Sequence, residues 1–405
     1  MIKKVELLAP AGNMECFKTA LHFGADAVYL AGKSYGLRAF AANFDLEEIR
    51  YACKTAHALN KKVYVTVNAL MKEDELNGLR EYIIALKDAG ADALIISDPG
   101  VFYIARNIIE VHLSTQASTM NSLAARFWHE QGYKRIVMAR EASLADIKKI
   151  KEACPEDMEI EAFVHGAMCI AYSGRCLMSS VLTGRSGNKG ACAQPCRWKY
   201  TIHEEGYPED YFPIEQDENG TYILNSKDLM MIEHIPEMID AGICSFKIEG
   251  RMKSAYYVAS VVSAYRKAID AYYTDPEHYA VNEGWVKELE MSATRRFTTG
   301  FFYGNPGKEA QDIKREPTQR GYVFCAIVKG GRDEEGYFPV EQRNRFFSGE
   351  ELHILSPDFE DAVFTVDEIF NLQGELQLSA PHPQQQLRIN CPYELKEGDI
   401  LRVIR

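Results

Sequence analysis

Short apolar runs alternate with amphipathic stretches through the first 270 residues. The runs are VELLAP (5–10), AVYLAG (27–32), VYVTVNAL (63–70), ALIISDPG (93–100), VHLSTQAS (111–118), RIVMARE (135–141), IEAFVHG (160–166) and CSFKIEGR (244–251). Runs that are apolar on both faces read as buried parallel strands. The stretches between them read as helices: one from about Asn13, one capped by Asp45, one over 73–89, one from Val101, and one over 254–273. Asn225, Lys227 and Asp228 predict the start of a further helix. The segment GADAVYL (24–30) returns as GADALII (90–96), an offset of 66 residues or two βα units. Eight such units favour a (β/α)₈ TIM-barrel-like domain, within the α/β class, over an open doubly wound sheet.

The pattern changes near residue 273. The sequence predicts a barrel domain over 1–273 with a cysteine-rich insertion at 166–229, a connecting helical and linker segment over 274–317, and a small all-β domain over 318–405. Strands of that last domain are expected in YVFCAIV, RFFSGEELHIL, DAVFTVDEIF, GELQLSA and GDILRVIR. The insertion continues into a hairpin over the barrel mouth, turning at Asn219-Gly220.

Composition changes the picture little: 46% hydrophobic and 26% charged residues are those of an ordinary globular protein. The start carries no signal-peptide pattern, and no run is long and apolar enough for a membrane span, so a cytoplasmic location is expected. The net charge of −12 argues against a surface that binds polyanions throughout. The last domain is itself acidic, with nine Lys/Arg against fifteen Asp/Glu in 318–405.

One stretch runs against that charge. Residues 162–203 contain no acid but carry Arg175, Arg185, Lys189, Arg197 and Lys199, together with Cys169, Cys176, Cys192 and Cys196 at gaps of six, fifteen and three residues. Thiols among cations are biased toward thiolate, the form that binds metal or attacks an electrophile. Five glycines break the segment, and an irregular loop of this kind needs a staple. Zinc prefers tighter Cys-x₂₋₄-Cys knuckles, iron–sulfur clusters accept looser spacings, and packing thiols need no metal, so spacing leaves all three open. A nucleophilic cysteine would need a base, for which His165 is the candidate. No H-E-x-x-H or G-x-S-x-G motif is present. The polar residues at strand ends are Asn68, Asp98, Gln116, Arg140, His165, Lys247, Glu249 and Arg251, where a barrel keeps its chemistry. Arg140, Arg175, Arg197, Lys247, Arg251 and Lys253 are expected around a small acidic metabolite or a phosphate, unless each pairs with a neighbour such as Glu141 or Glu249. Trp198 and Tyr200 beside Arg197 and Lys199 suit an unstacked base.

E-A-F-V-H-G-A-M-C-I-A-Y-S-G-R-C-L-M-S resembles the signature of peptidase family U32, matched at Glu161, Phe163, Gly166, Ala167, Met168, Cys169, Gly174, Cys176, Met178 and Ser179. LLAPAGN, GACAQPCRWKY, NSKDL and SFKIEGRMKSAYYV also look like that family, so the resemblance spans essentially the whole chain. It implies one of two activities. The first is collagenase-like proteolysis. The second is oxygen-independent hydroxylation with a [4Fe–4S] cluster on Cys169, Cys176, Cys192 and Cys196, zinc being the alternative occupant. The length and the β domain look most like the branch that makes 5-hydroxyuridine at the tRNA wobble position with prephenate as a required metabolite. The resemblance therefore implies tRNA, through its anticodon loop, as substrate and allows a paralogous U32 partner subunit. Arg140, His165, Lys247 and Arg251 are the candidates for binding or proton transfer. A non-catalytic RNA-binding or assembly protein with structural zinc is the third expectation.

Overall fold

Each of the eight apolar runs forms a strand. In chain order these are β1 (Glu6–Pro10), β2 (Ala27–Ala31), β3 (Lys62–Val67), β4 (Ala93–Ile96), β5 (Glu110–Leu113), β6 (Arg135–Val137) and β7 (Glu159–Ala167). Then, after β8 (Glu215–Asp217), β9 (Gly220–Tyr222) and β10 (Asp228–Met230), comes β11 (Ser245–Ile248). In the computed structural model, which describes residues 4–36, 42–169, 178–185, 192–198, 215–217, 220–222, 226–306, 321–360 and 362–405, β1 to β7 pair in parallel order and β11 closes the ring. Ser245 stands opposite Glu161 of β7 on one side and Glu6 of β1 on the other. Helices α1 (Met14–His22), α2 (Leu46–Ala58), α3 (Leu79–Asp88), α4 (Pro99–Ala105), α5 (Ser122–Gln131) and α6 (Leu144–Ala153) follow the first six strands. They are followed by α7 (Met178–Thr183), α8 (Ile235–Asp240), α9 (Ala255–Thr274) and α10 (Glu283–Ser292). No described helix is long and apolar enough to cross a membrane.

The internal echo has a structural cause. The Asp26 carboxylate accepts the Leu7 N–H at 3.0 Å, and Asp92 accepts the Val63 N–H at 2.7 Å. Each aspartate thus ties the turn entering one strand to the strand before it. Gly24 and Gly90, at φ 96° and 98°, end the helices in the left-handed conformation that a side chain disfavours. Asn13 accepts the Cys16 N–H at 2.8 Å, and Asp45 with Glu48 forms a reciprocal capping box.

Three local expectations are corrected. The helix over 73–89 is two pieces, because Gly78 at φ 76° breaks it into a 3₁₀ turn, Glu73–Leu76, and α3. Residues 228–230 are strand, not helix. β7 runs nine residues and its far end offers an open edge, where β10 pairs antiparallel (Met230 opposite His165) and β12 (Phe297–Thr298) adds outside. The hairpin of β8 and β9 sets Gly220 in the second strand, opposite Asp217, rather than in the turn.

The chain ends in a seven-stranded antiparallel sheet of β13 (Tyr322–Val328), β14 (Phe338–Gln342), β15 (Glu350–Leu355), β16 (Val363–Val366), β17 (Ile369–Asn371), β18 (Gln386–Ile389) and β19 (Ile400–Ile404). β14 and β18 lie outside the expected strand segments. GELQLSA contributes only single bridges, Leu376 to Phe370 and Ser379 to Phe347. The sheet closes over its own core around Phe338, Phe346 and Leu387, and it meets the barrel helices through Arg343–Glu15, His22–Asp399 and Arg402–Glu288.

Candidate active site at the barrel mouth

The lower barrel interior is ionic. Arg135 at the start of β6 binds Glu6 at 2.5 Å, Glu159 at 2.7 Å and Glu161 at 3.2 Å, and Lys247 of β11 binds the other oxygen of Glu161 at 2.6 Å. Tyr64 and Ser245 donate to Glu6 at 2.7 and 2.8 Å. Burial by itself would raise the pKa of Glu161, but Lys247 and Arg135 hold it below the ordinary carboxylate value. The carboxylate therefore stays charged, and the cations stay fixed around it.

Above this layer Phe163 stands between two cations. The Arg140 guanidinium lies 4.1 Å from its ring centroid and the Lys247 ammonium 5.6 Å, while Lys247 also sits 4.5 Å from the Tyr29 ring. Glu249 anchors Arg140 through one hydrogen bond at 2.9 Å. Among the described residues, Nε and Nη1 of Arg140 have no partner, and the Lys247 ammonium makes one hydrogen bond of the three it can give. Unspent donors on two cations beside one aromatic ring suit an anionic or carbonyl-bearing ligand. Arg251 reaches the same end of the barrel and meets Asn43 at 3.5 Å. Its carbonyl fills the space beside Gly12, where an added Cβ would lie 1.9 Å from that oxygen. Asp98, by contrast, is spent on structure, capping α4 at Gly100 and accepting from Met71.

His165 is turned elsewhere. The register between β7 and β11 slips after Lys247, so Phe163 faces Lys247 while His165 faces α9. There it packs among Tyr257, Tyr265 and Phe297, with ring centroids 5.2–6.0 Å away, and Nδ1 has no partner among the described residues. Burial, then the charge of Lys253, push its pKa down to about 3, so the ring is neutral at pH 7. The unfolded chain takes up the proton near pH 6.5 and the folded one does not, so this contribution is full above that pH and lost on acidification toward 3. Between pH 6.5 and 5 the wild type should lose about 2 kcal/mol more stability than His165→Leu, measured by urea unfolding at both pH values.

The cysteines divide into two groups. Burial raises the thiol pKa of Cys16, Cys53, Cys154, Cys244, Cys325 and Cys391, which pack as neutral groups. Cys169 is exposed just past β7, and Cys192 and Cys196 are half-buried in the segment 192–198; Cys176 lies outside the described residues. The Cys192 sulfur accepts the Gln194 N–H at 3.3 Å, the kind of bond that a ligating thiolate receives. Ser179 of α7 clamps this segment. Its hydroxyl accepts from Ala193 N–H at 3.0 Å and donates to the Arg185 carbonyl at 2.6 Å. Trp198 closes back on the Ala193 carbonyl at 3.2 Å. The donor chemistry fits a soft metal centre, although among the described residues no three His, Cys, Asp or Glu side chains converge to hold an ion. Arg175, Lys189, Lys199 and Tyr200 lie outside the described residues.

The structure thus gathers Arg140, Lys247, Glu249 and Phe163 and turns the His165 ring away from them, although the His165 carbonyl accepts the Glu249 N–H at 2.9 Å. Sequence reasoning missed Arg135, Glu6 and Tyr64 beneath; charged residues inside otherwise apolar strands were the available signal.

Residues 12–312 match peptidase family U32 and residues 320–402 match the peptidase family U32 C-terminal domain. The tRNA hydroxylation protein P1 of Bacillus subtilis (strain 168) is 41% identical over 403 residues, covering 99% of this chain and 95% of that protein. The tRNA hydroxylation protein P of Escherichia coli (strain K12) is 34% identical over 441 residues, covering 97% and 95%. A collagenase of Porphyromonas gingivalis (strain ATCC BAA-308 / W83) is 34% identical over 408 residues, covering 98% and 96%.

Proposed function

The chain belongs to peptidase family U32, and from that premise we propose that it is an RNA-modifying enzyme, hydroxylating the wobble uridine of tRNA to 5-hydroxyuridine without molecular oxygen. The observation that carries this reading is the nearly end-to-end likeness to two proteins named for tRNA hydroxylation. Cys169, Cys176, Cys192 and Cys196 would hold a [4Fe–4S] cluster, which supplies one-electron chemistry when bound. The Cys192 sulfur accepting a backbone N–H and the Ser179 clamp support that assignment.

Arg140 and Lys247 bind a small acidic metabolite, prephenate by the family resemblance, through the donors they leave unspent beside Phe163, with Arg251 at the same rim. The uridine leaves its stack to reach them. His165 acts as a positioning residue, its aromatic packing fixing the turn of β7 that leads to Cys169. The acidic β domain leaves the RNA grip to the barrel mouth or to a paralogous subunit.

The test is complementation of a strain whose tRNA lacks 5-hydroxyuridine derivatives, read by nucleoside mass spectrometry. The wild-type gene restores them and Arg140→Ala restores at most about one hundredth, the loss of one charged contact and its orienting effect. A soluble protein that restores nothing would overturn the reading. The collagenase relative keeps proteolysis as the second reading. It predicts gelatin cleavage by highly purified protein, abolished by a thiol-alkylating reagent or a chelator.

A further inference from the structure

Between the barrel helices and the terminal sheet lies a cavity of about 60 Å³, lined on one side by Ser263, Lys267, Asn282 and Glu288 and on the other by Glu360 and Arg402. Its walls are rich in donors. Arg402 is 5% exposed; Nη1 donates to Glu288 at 2.5 Å and to the Tyr256 hydroxyl at 3.4 Å, and the guanidinium lies 3.7 Å from the Tyr322 ring centroid. Its Nε has no partner among the described residues, although a buried guanidinium N–H is costly to leave unmade. The Lys267 ammonium gives one hydrogen bond, to the Phe359 carbonyl at 3.2 Å, and no described carboxylate stands within ion-pair distance of it. Ser263 is buried with its hydroxyl unpartnered among the described residues. Asn282 spends its oxygen on the Gly284 N–H at 2.7 Å, at the start of α10, leaving its NH₂ group.

The acceptors are fewer. Glu288 is engaged by Arg402, and Glu360 is exposed at the rim. One water needs about 10–15 Å³, so the space of about 60 Å³ takes roughly four to six water-sized atoms, enough for the oxygens of a tetrahedral oxyanion. The geometry points to a phosphate group bound at this seam, held by Arg402 Nε, Lys267, Ser263 and the Asn282 amide, and tying α9 and α10 to β15 and β19. Free inorganic phosphate and a phosphate of an RNA chain share this chemistry. The site stands independently of the reading of the barrel mouth.

Thermal unfolding of the full-length protein, with sodium phosphate replacing chloride at constant ionic strength, tests it. A saturable rise in Tm is expected, with the apparent Kd at least about tenfold weaker in Lys267→Met, the size of one charge-assisted hydrogen bond, and several-fold weaker in Ser263→Ala. Both substitutions spare the Arg402–Glu288 pair. If inorganic phosphate acts no differently from chloride but a short oligoribonucleotide gives a rise that Lys267→Met weakens, the phosphate is that of RNA. If neither ligand exceeds chloride, or both variants respond as the wild type does, the cavity holds water and the proposal fails.

Discussion

Protein carrying Cys192→Ala, purified without air, is expected to lose the broad visible absorption of the wild type and most of its iron and sulfide, and to restore no measurable hydroxylation. On the proposed assignment, removing one of four thiolate ligands would open the cluster, because the binding free energy of such a centre depends on its full ligand set. Cys16→Ala serves as the control, since that thiol is buried and kept protonated. It should keep full iron content and lose only the stability expected for a small packing cavity, up to about 2 kcal/mol. Colourless wild-type protein containing zinc would remove the redox account, and wild-type protein containing no metal would remove both metal readings.

Glu161→Gln is expected to lower stability by about 3–5 kcal/mol in urea unfolding at pH 7, because it strands the Lys247 ammonium inside the barrel and weakens the hold on Arg135. The double variant Glu161→Gln/Lys247→Met should recover most of that loss, since removing both charges leaves no uncompensated ion. With pH the sign follows from the lowered pKa of Glu161. The contribution is present above the unfolded value near 4.3 and disappears only as pH falls through the lower folded value. A single variant as stable as the wild type would mean that Lys247 finds water or another partner, and the interior network would lose its structural weight.

The barrel was legible because its information is local. Runs such as AVYLA and ALII declare buried strands by themselves, and the Gly-Ala-Asp echo marks two turns that do the same task in the fold. The interior network was not legible, because its partners lie far apart: Arg135 meets Glu6 across 129 residues, and no sequence pattern specifies that register. The direction of His165 depended on a one-residue slip that reverses which face a side chain takes. Its place in the sequence puts Lys247 at the mouth as a cation; its counter-charge, Glu161, comes from the neighbouring strand and sets it deeper. Cys169, Cys192 and Cys196 stood out by composition and spacing, whereas the Ser179 clamp that positions two of them looked like an ordinary serine.

The ring is shut by its last-made member. Ser245 meets Glu6 across 239 positions of the chain, so a nascent polypeptide leaving the ribosome exposes Cys169 to Cys196 well before β11 arrives to complete the cylinder. Contacts this distant in sequence form late and slowly. Were the proposed inorganic centre delivered to those sulfurs, its delivery and final closure would be separate events in the life of the protein, with an interval between them in which an assembly factor could act.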